Sequence, residues 1–142
     1  MMPESIPPFH LAIPVDDLEA ADYFYGRILN CPKGRRSSEW LDFNFFGHQL
    51  VVHLSPEACT KVKANAVDGE LVPVRHFGAV LSRAQWQEVA DRLKSADVAF
   101  IIEPTIRHQN LPGEQGTFFV SDPAGNALEF KWFANESELF AT

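Results

Sequence analysis

Apolar residues fall in short runs along the chain, and the runs come in two similar sets. Phe9-His10-Leu11-Ala12-Ile13 is a strand-like stretch carrying one histidine, and Pro14 ends it. Asp16, with Glu19 three residues later, has capping-box spacing. Leu18, Ala21, Tyr25, Ile28 and Leu29 then recur at helical intervals and predict one apolar helix face. Asn30, Pro32 and Gly34 break that pattern into a loop. Aromatic and β-branched residues crowd Trp40 to Phe46 and Gln49 to Leu54, on either side of a turn at Gly47-His48, which predicts a hairpin.

The second set follows the same order. His76 to Leu81 reads as a strand with a histidine near its start. Ser82 and Gln85 repeat the capping-box spacing, and Trp86, Val89, Ala90 and Leu93 line a helix face. Val98 to Ile102 reads as a strand stopped by Pro104, and Thr117 to Val120 leads into the turn Ser121-Asp122-Pro123-Ala124-Gly125-Asn126. The chain returns through Ala127-Leu128-Glu129-Phe130-Lys131-Trp132. Two copies of one strand-helix-strands unit predict an α+β fold in one domain, residues 1–142. Module one covers about 7–56, a connector about 57–74 and module two about 75–134. In the connector, Glu57 to Ala66 suits a short helix, Val67-Asp68-Gly69-Glu70 is turn chemistry, and Pro73 delays the next strand.

Composition narrows the field. Nineteen acidic residues against twelve basic ones leave a net charge of −7, which gives phosphate backbones no attractive field and argues against nucleic acid as a partner. No apolar run approaches a bilayer span, and the start Met-Met-Pro-Glu-Ser lacks a leader pattern, so a cytoplasmic protein with no membrane partner is expected. Two cysteines, Cys31 and Cys59, make no disulfide framework and no zinc knuckle.

His10 and His76 occupy corresponding places, each near the start of the first strand of its half. Glu129 sits in the last strand between Leu128 and Phe130, where a carboxylate costs several kcal/mol unless protonated, paired or bound to a cation. Two imidazoles and a carboxylate suit a divalent transition metal. Strand alternation equally allows Glu129 to face water, and a single strand histidine is more often structural than ligating. Joint placement in a repeated architecture is what favours a site.

These residues carry a resemblance. Phe9 to Ile13 with Asp17-Leu18 and Tyr23 to Tyr25, His76-Phe77-Gly78, and above all Asp122-Pro123-Ala124-Gly125-Asn126 feeding Glu129 resemble the vicinal oxygen chelate superfamily over Phe9 to Trp132. That superfamily includes glyoxalase I, type I extradiol dioxygenases, fosfomycin-resistance thiol transferases, methylmalonyl-CoA epimerase and bleomycin-resistance proteins. The resemblance implies two βαβββ modules whose curved mixed sheets surround a shared metal-binding cleft. By position it makes His10, His76 and Glu129 the metal ligands, and it implies a homodimer.

One departure bears on the reaction. Glyoxalase I-like members add a glutamate ligand on the last strand of module one, and here that strand, Gln49 to Leu54, has none. Matching Gly47 to Gly125 puts Val51 opposite Glu129, with His53 two residues on and on the same face, as a fourth ligand, an acid/base group or a packed residue. The remaining two-histidine, one-carboxylate set is that of non-haem iron(II) oxygenases. Type I extradiol dioxygenases use it, and so do fosfomycin-resistance transferases, usually with manganese.

The segment Thr105 to Gly116 would border the cleft mouth in such a fold. Within it His108 is a candidate acid or base, and Arg107 or Arg75 would hold an anionic substrate group. A polar loop is also polar simply because it is wet. Phe43, Phe45, Phe118 and Trp132 suit either an apolar substrate pocket, with Phe118 at its wall, or a core.

The leading expectation is a metal-dependent dioxygenase acting on a small catecholic molecule, using Fe(II) or Mn(II), with Zn(II) or Ni(II) also compatible with the ligands. Its rivals are a lyase, isomerase or thiol transferase on the same scaffold, and a metal-free binding protein of the bleomycin-resistance kind.

Overall fold

A computed structural model describes residues 5–60, 63–67 and 70–140, with side chains over 5–60 and 71–140. Two compact units emerge, Met1–Cys59 and Thr60–Thr142. Each is built on a four-stranded mixed sheet, as expected for βαβββ modules.

In the first unit β1 (His10–Val15) leads into a short helix, α1 (Leu18–Ala21), which continues as a π-helical stretch over Asp22–Ile28. The cap is Asp17 and not Asp16: Asp17 is extended and its carboxylate accepts from the Ala20 amide at 3.1 Å. Three antiparallel strands follow, β2 (Lys33–Arg36), β3 (Trp40–Phe45) and β4 (His48–Leu54), in the sheet order β1-β4-β3-β2. The expected loop at Asn30 to Gly34 thus gives way to an edge strand from Lys33 onward. The hairpin turn lies one residue earlier than expected, at Phe46 and Gly47, both with positive φ. Leu41, Phe43, Leu50 and Val52 are buried on the helix side, where the Tyr25 and Phe43 rings meet at 5.5 Å. β1 runs parallel to β4, with His10 opposite Gln49 and Ala12 opposite Val51.

The connector departs from expectation. Among its described residues only Pro56–Ala58 is helical, as a 3-10 turn, with residues 61 and 62 of the expected helix outside the described residues, and the chain then forms a hairpin of β5 (Lys63–Val67) and β6 (Glu70–Val74). Pro73 lies inside β6, not before a delayed strand. The turn expected at Val67 to Glu70 falls on residues 68 and 69, outside the described residues, although Val67 and Glu70 do pair. The hairpin belongs to the second unit, where buried Val72 clusters with Ile102 and Phe119.

The second unit repeats the plan with β7 (Phe77–Val80), α2 (Arg83–Ser95), β8 (Phe100–Arg107), β9 (Gln115–Ser121) and β10 (Ala127–Phe133), in the order β7-β10-β9-β8. The Ser82–Gln85 capping box forms in full, and Trp86 pins α2 to the sheet by donating from Nε1 to the Phe130 carbonyl at 2.9 Å. Pro104 does not stop β8. That strand is at the sheet edge and its register with β9 shifts between Ile102 and Thr105, which is where a strand tolerates proline. Thr105, Ile106 and Arg107 are accordingly strand residues and not loop.

Candidate functional site

The turn before β10 sets the last strand's register. Asp122 is buried, and its Oδ1 accepts from the amides of Ala124 and Asn126 at 2.9 and 2.8 Å. Gly125 supplies the positive φ the turn needs. Strand alternation then sorts the side chains: Leu128, Phe130 and Trp132 are buried on the α2 side, and Glu129 and Lys131 take the other face. Register puts Phe119 opposite Glu129, Thr117 opposite Lys131 and Gly78 opposite Glu129 on β7.

On that face Glu129 is 14% exposed and held at both oxygens. The buried Thr117 hydroxyl donates to Oε2 at 2.5 Å, and Oε1 stands 3.2 Å from Nε2 of His76. The His76 ring is fixed in turn, because Nδ1 lies 2.6 Å from the Pro73 carbonyl oxygen. A carbonyl only accepts, so Nδ1 carries a hydrogen. Phe119 meets the imidazole edge to face at 5.0 Å, and the cluster of Phe119, Val72 and Ile102 adds an apolar flank.

This geometry defines a chemical demand. With Nδ1 committed, a neutral His76 turns its Nε2 lone pair towards a carboxylate oxygen. Two acceptors that close repel unless positive charge sits between them, either a proton on Nε2 or a cation. Imidazole nitrogen and carboxylate oxygen are both transition-metal donors, and a second hydrogen bond at the far ring nitrogen is the usual setting of a ligating histidine. The donor set therefore fits a divalent metal.

In the first unit, His10 is exposed on β1 and its Nδ1 lies 2.8 Å from Gln49 Oε1. The two histidines match in register: His10 is two residues before Ala12, opposite Val51, and His76 is two before Gly78, opposite Glu129. Among the described residues no three His, Cys, Asp or Glu side chains are gathered, and His76 with Glu129 is the pair brought together.

The other candidates are dispersed. His53 is exposed on β4, opposite Pro14 and Trp40, four residues or about 13 Å along the strand from Gln49. His108 is exposed in the turn after β8, with positive φ. Arg75 is exposed beside His76 in the chain. Arg107 ends β8 opposite Gln115, and Thr105 two residues earlier lies opposite Thr117, which puts Arg107 on the Glu129 face. Phe118 is a correction: it is fully buried on the α2 side, packed among Trp86, Phe100 and Phe130 in tilted and edge-to-face contacts, so it packs the core and walls no pocket on the Glu129 face. Phe43, Phe45 and Trp132 are core residues as well. Thr117, Gln49 and Asp42 were not singled out from sequence, though alternation alone puts Thr117 on the face of Phe119.

No helix among the described residues is long and apolar enough to cross a membrane. No protein of curated function matches the chain. Among solved structures, it is similar to a glyoxalase/bleomycin resistance protein/dioxygenase from Alicyclobacillus acidocaldarius, with 32% identity, 94% of this chain and 96% of that one covered, and a TM-score of 0.77. A genomically encoded fosfomycin resistance protein from Listeria monocytogenes shares the fold at 17% identity, 97% and 100% coverage and a TM-score of 0.68. So does a lactoylglutathione lyase from Agrobacterium tumefaciens, at 19% identity, 99% and 98% coverage and a TM-score of 0.63. The family model for the Glyoxalase/Bleomycin resistance protein/Dioxygenase superfamily matches residues 8–130, and the chain belongs to that superfamily.

Proposed function

We propose that the chain is a metal-dependent enzyme of this superfamily in which His10, His76 and Glu129 hold Fe(II) or Mn(II), and that it opens the ring of a small catecholic substrate. The observation that carries the reading is the His76 Nε2 to Glu129 Oε1 approach at 3.2 Å, with Nδ1 already bonded to Pro73. His10 completes the set by its equivalence to His76 within the repeat and by the family resemblance.

A metal bound there would supply Lewis acidity and open positions at which the two adjacent oxygens of a diol bind. The protein's own contribution is orientation. Pro73 fixes the His76 ring, and Thr117 occupies Oε2 of Glu129 so that Oε1 is the oxygen presented. Phe119, Val72 and Ile102 keep water from one side, which strengthens every charge interaction at the pair. Arg107 shares that sheet face, which supports a role for it in meeting an anionic substrate group. With Val51 where a glyoxalase-like glutamate would stand, this strand supplies no carboxylate to shuttle a substrate proton, which favours ring opening over isomerisation.

The experiment is oxygen uptake after anaerobic loading with Fe(II) and addition of catechols. We expect consumption of O2 with appearance of a ring-opened product, and loss of both in Glu129→Ala. Turnover of a catechol series without O2 consumption, or no turnover with full metal loading, would contradict the dioxygenase reading and leave the lyase, isomerase and transferase activities.

A further inference from the structure

Both module histidines hold the same ring nitrogen, Nδ1, against a carbonyl oxygen, and they do so by different means. His76 is set by a main-chain carbonyl. His10 is set by a side chain, Gln49 Oε1 at 2.8 Å, and that side chain is itself oriented by another.

The orientation follows from donor and acceptor identities. Gln49 Nε2 lies 3.5 Å from Asp42 Oδ2, a long contact but one of fixed sign. An ionised carboxylate only accepts, so the Gln49 amide must turn its NH2 towards Asp42, and its carbonyl is then the group that faces His10. The reversed amide would set carbonyl against carboxylate on one side. A carbonyl facing His10 requires hydrogen on Nδ1, which leaves the Nε2 lone pair outward. The sheet provides the layout: Gln49 is opposite His10 on β1 and opposite Asn44 on β3, and Asp42 is its diagonal neighbour on the same face.

We propose that Gln49 is a positioning residue for His10, fixing it as the Nδ1–H tautomer, and that Asp42 sets the direction of the Gln49 amide. This rests on the reading of His10 as a metal ligand for its purpose, though not for its geometry. His76, by contrast, draws its tautomer from the main-chain carbonyl of Pro73.

The test reads the ring and the metal separately. Long-range 15N–1H correlation on the metal-free protein at alkaline pH reports which nitrogen of His10 bears hydrogen. Mn(II) titration reports affinity. Wild type is expected to show Nδ1–H. Gln49→Leu, at an exposed position, is expected to shift His10 to the Nε2–H form and to weaken Mn(II) binding about 10–100-fold. The double variant Asp42→Asn/Gln49→Glu moves the carboxylate next to His10 and the amide donor to position 42, and is expected to restore both signals. A His10 tautomer unchanged in Gln49→Leu, or no restoration in the double variant, overturns the proposal. A tautomer that switches while Mn(II) affinity stays constant leaves the hold of Gln49 on the ring standing and removes His10 from the metal set.

Discussion

Glu129 has two oxygens and the fold gives each a different neighbour. Thr117 takes Oε2 and His76 faces Oε1, so the carboxylate is held in one rotation and presents one oxygen. Thr117→Val keeps the shape and removes the donor, leaving Oε2 without that bond in a largely buried place. We expect a loss of about 2 kcal/mol in stability, the scale of a hydrogen bond to a charged group. Metal affinity should fall about 10–100-fold in the same variant and recover in Thr117→Ser. Denaturant melts and metal titration check the two effects, and a Val variant that binds as tightly as wild type would remove Thr117 from any positioning role. At this scale the sequence was partly legible. His10, His76 and Glu129 stood out because their residue types carry chemistry and the repeat aligned them. Thr117, Gln49 and Asp42 did not, because a threonine, a glutamine or an aspartate in a strand is ordinary until register shows what it faces. Of the two places open to Phe118, pocket wall or core, the fold takes the core for a related reason: Phe118 is adjacent to Thr117, and adjacent strand residues face opposite ways.

Elements were legible where their signals were local. The Ser82–Gln85 box lies within one turn of chain, and both halves of it form. Asp16 and Asp17 are neighbours, and only the backbone decides between them: Asp17 is the extended residue whose carboxylate reaches the Ala20 amide. The connector's hairpin is not legible locally because its structure is decided by long-range packing. Val72 reaches Ile102 and Phe119, which no helical spacing in Glu57 to Ala66 reveals. Pro104 departs from the strand-stop expectation because a proline that ends an interior strand is tolerated at an edge with a register shift. One strand contact admits a direct test. An added Cβ at Gly78 would lie 1.5 Å from the Glu129 carbonyl oxygen, so β7 and β10 approach this closely only because position 78 has no side chain. Gly78→Ala should force the strands apart beside Glu129, cost about 3 kcal/mol by chemical denaturation, and weaken metal binding along with it. A variant of wild-type stability would show that the strands yield without cost.

The chain repeats one plan, and the repeat was its most legible property, since hydrophobic runs, turns and cap signals recur in the same order in both halves. The described architecture bears this out in each unit: a first strand parallel to the last, a helix on one face, and two further antiparallel strands. What the repeat does not carry over is the carboxylate. Val51 in the first unit occupies the register place that Glu129 holds in the second. The repeat is therefore asymmetric in its chemistry: the second unit pairs a histidine with a glutamate, and the first has a histidine without one at the matching place. The Asp-Pro-x-Gly-Asn turn explains why that glutamate was recognisable, because Asp122 and Gly125 fix the strand that follows. Family membership comes with the fold, and the reaction rests on a handful of side chains.

The most direct measurement is metal bound per chain after anaerobic loading with Fe(II) and, separately, Mn(II), on the wild type beside His10→Ala, His76→Ala and Glu129→Ala, with circular dichroism to confirm that each variant is folded. We expect one ion per wild-type chain and loss of stoichiometric binding in every folded variant. Wild-type protein that takes up neither ion, or variants that bind as the wild type does, would contradict the metal centre on which this account rests.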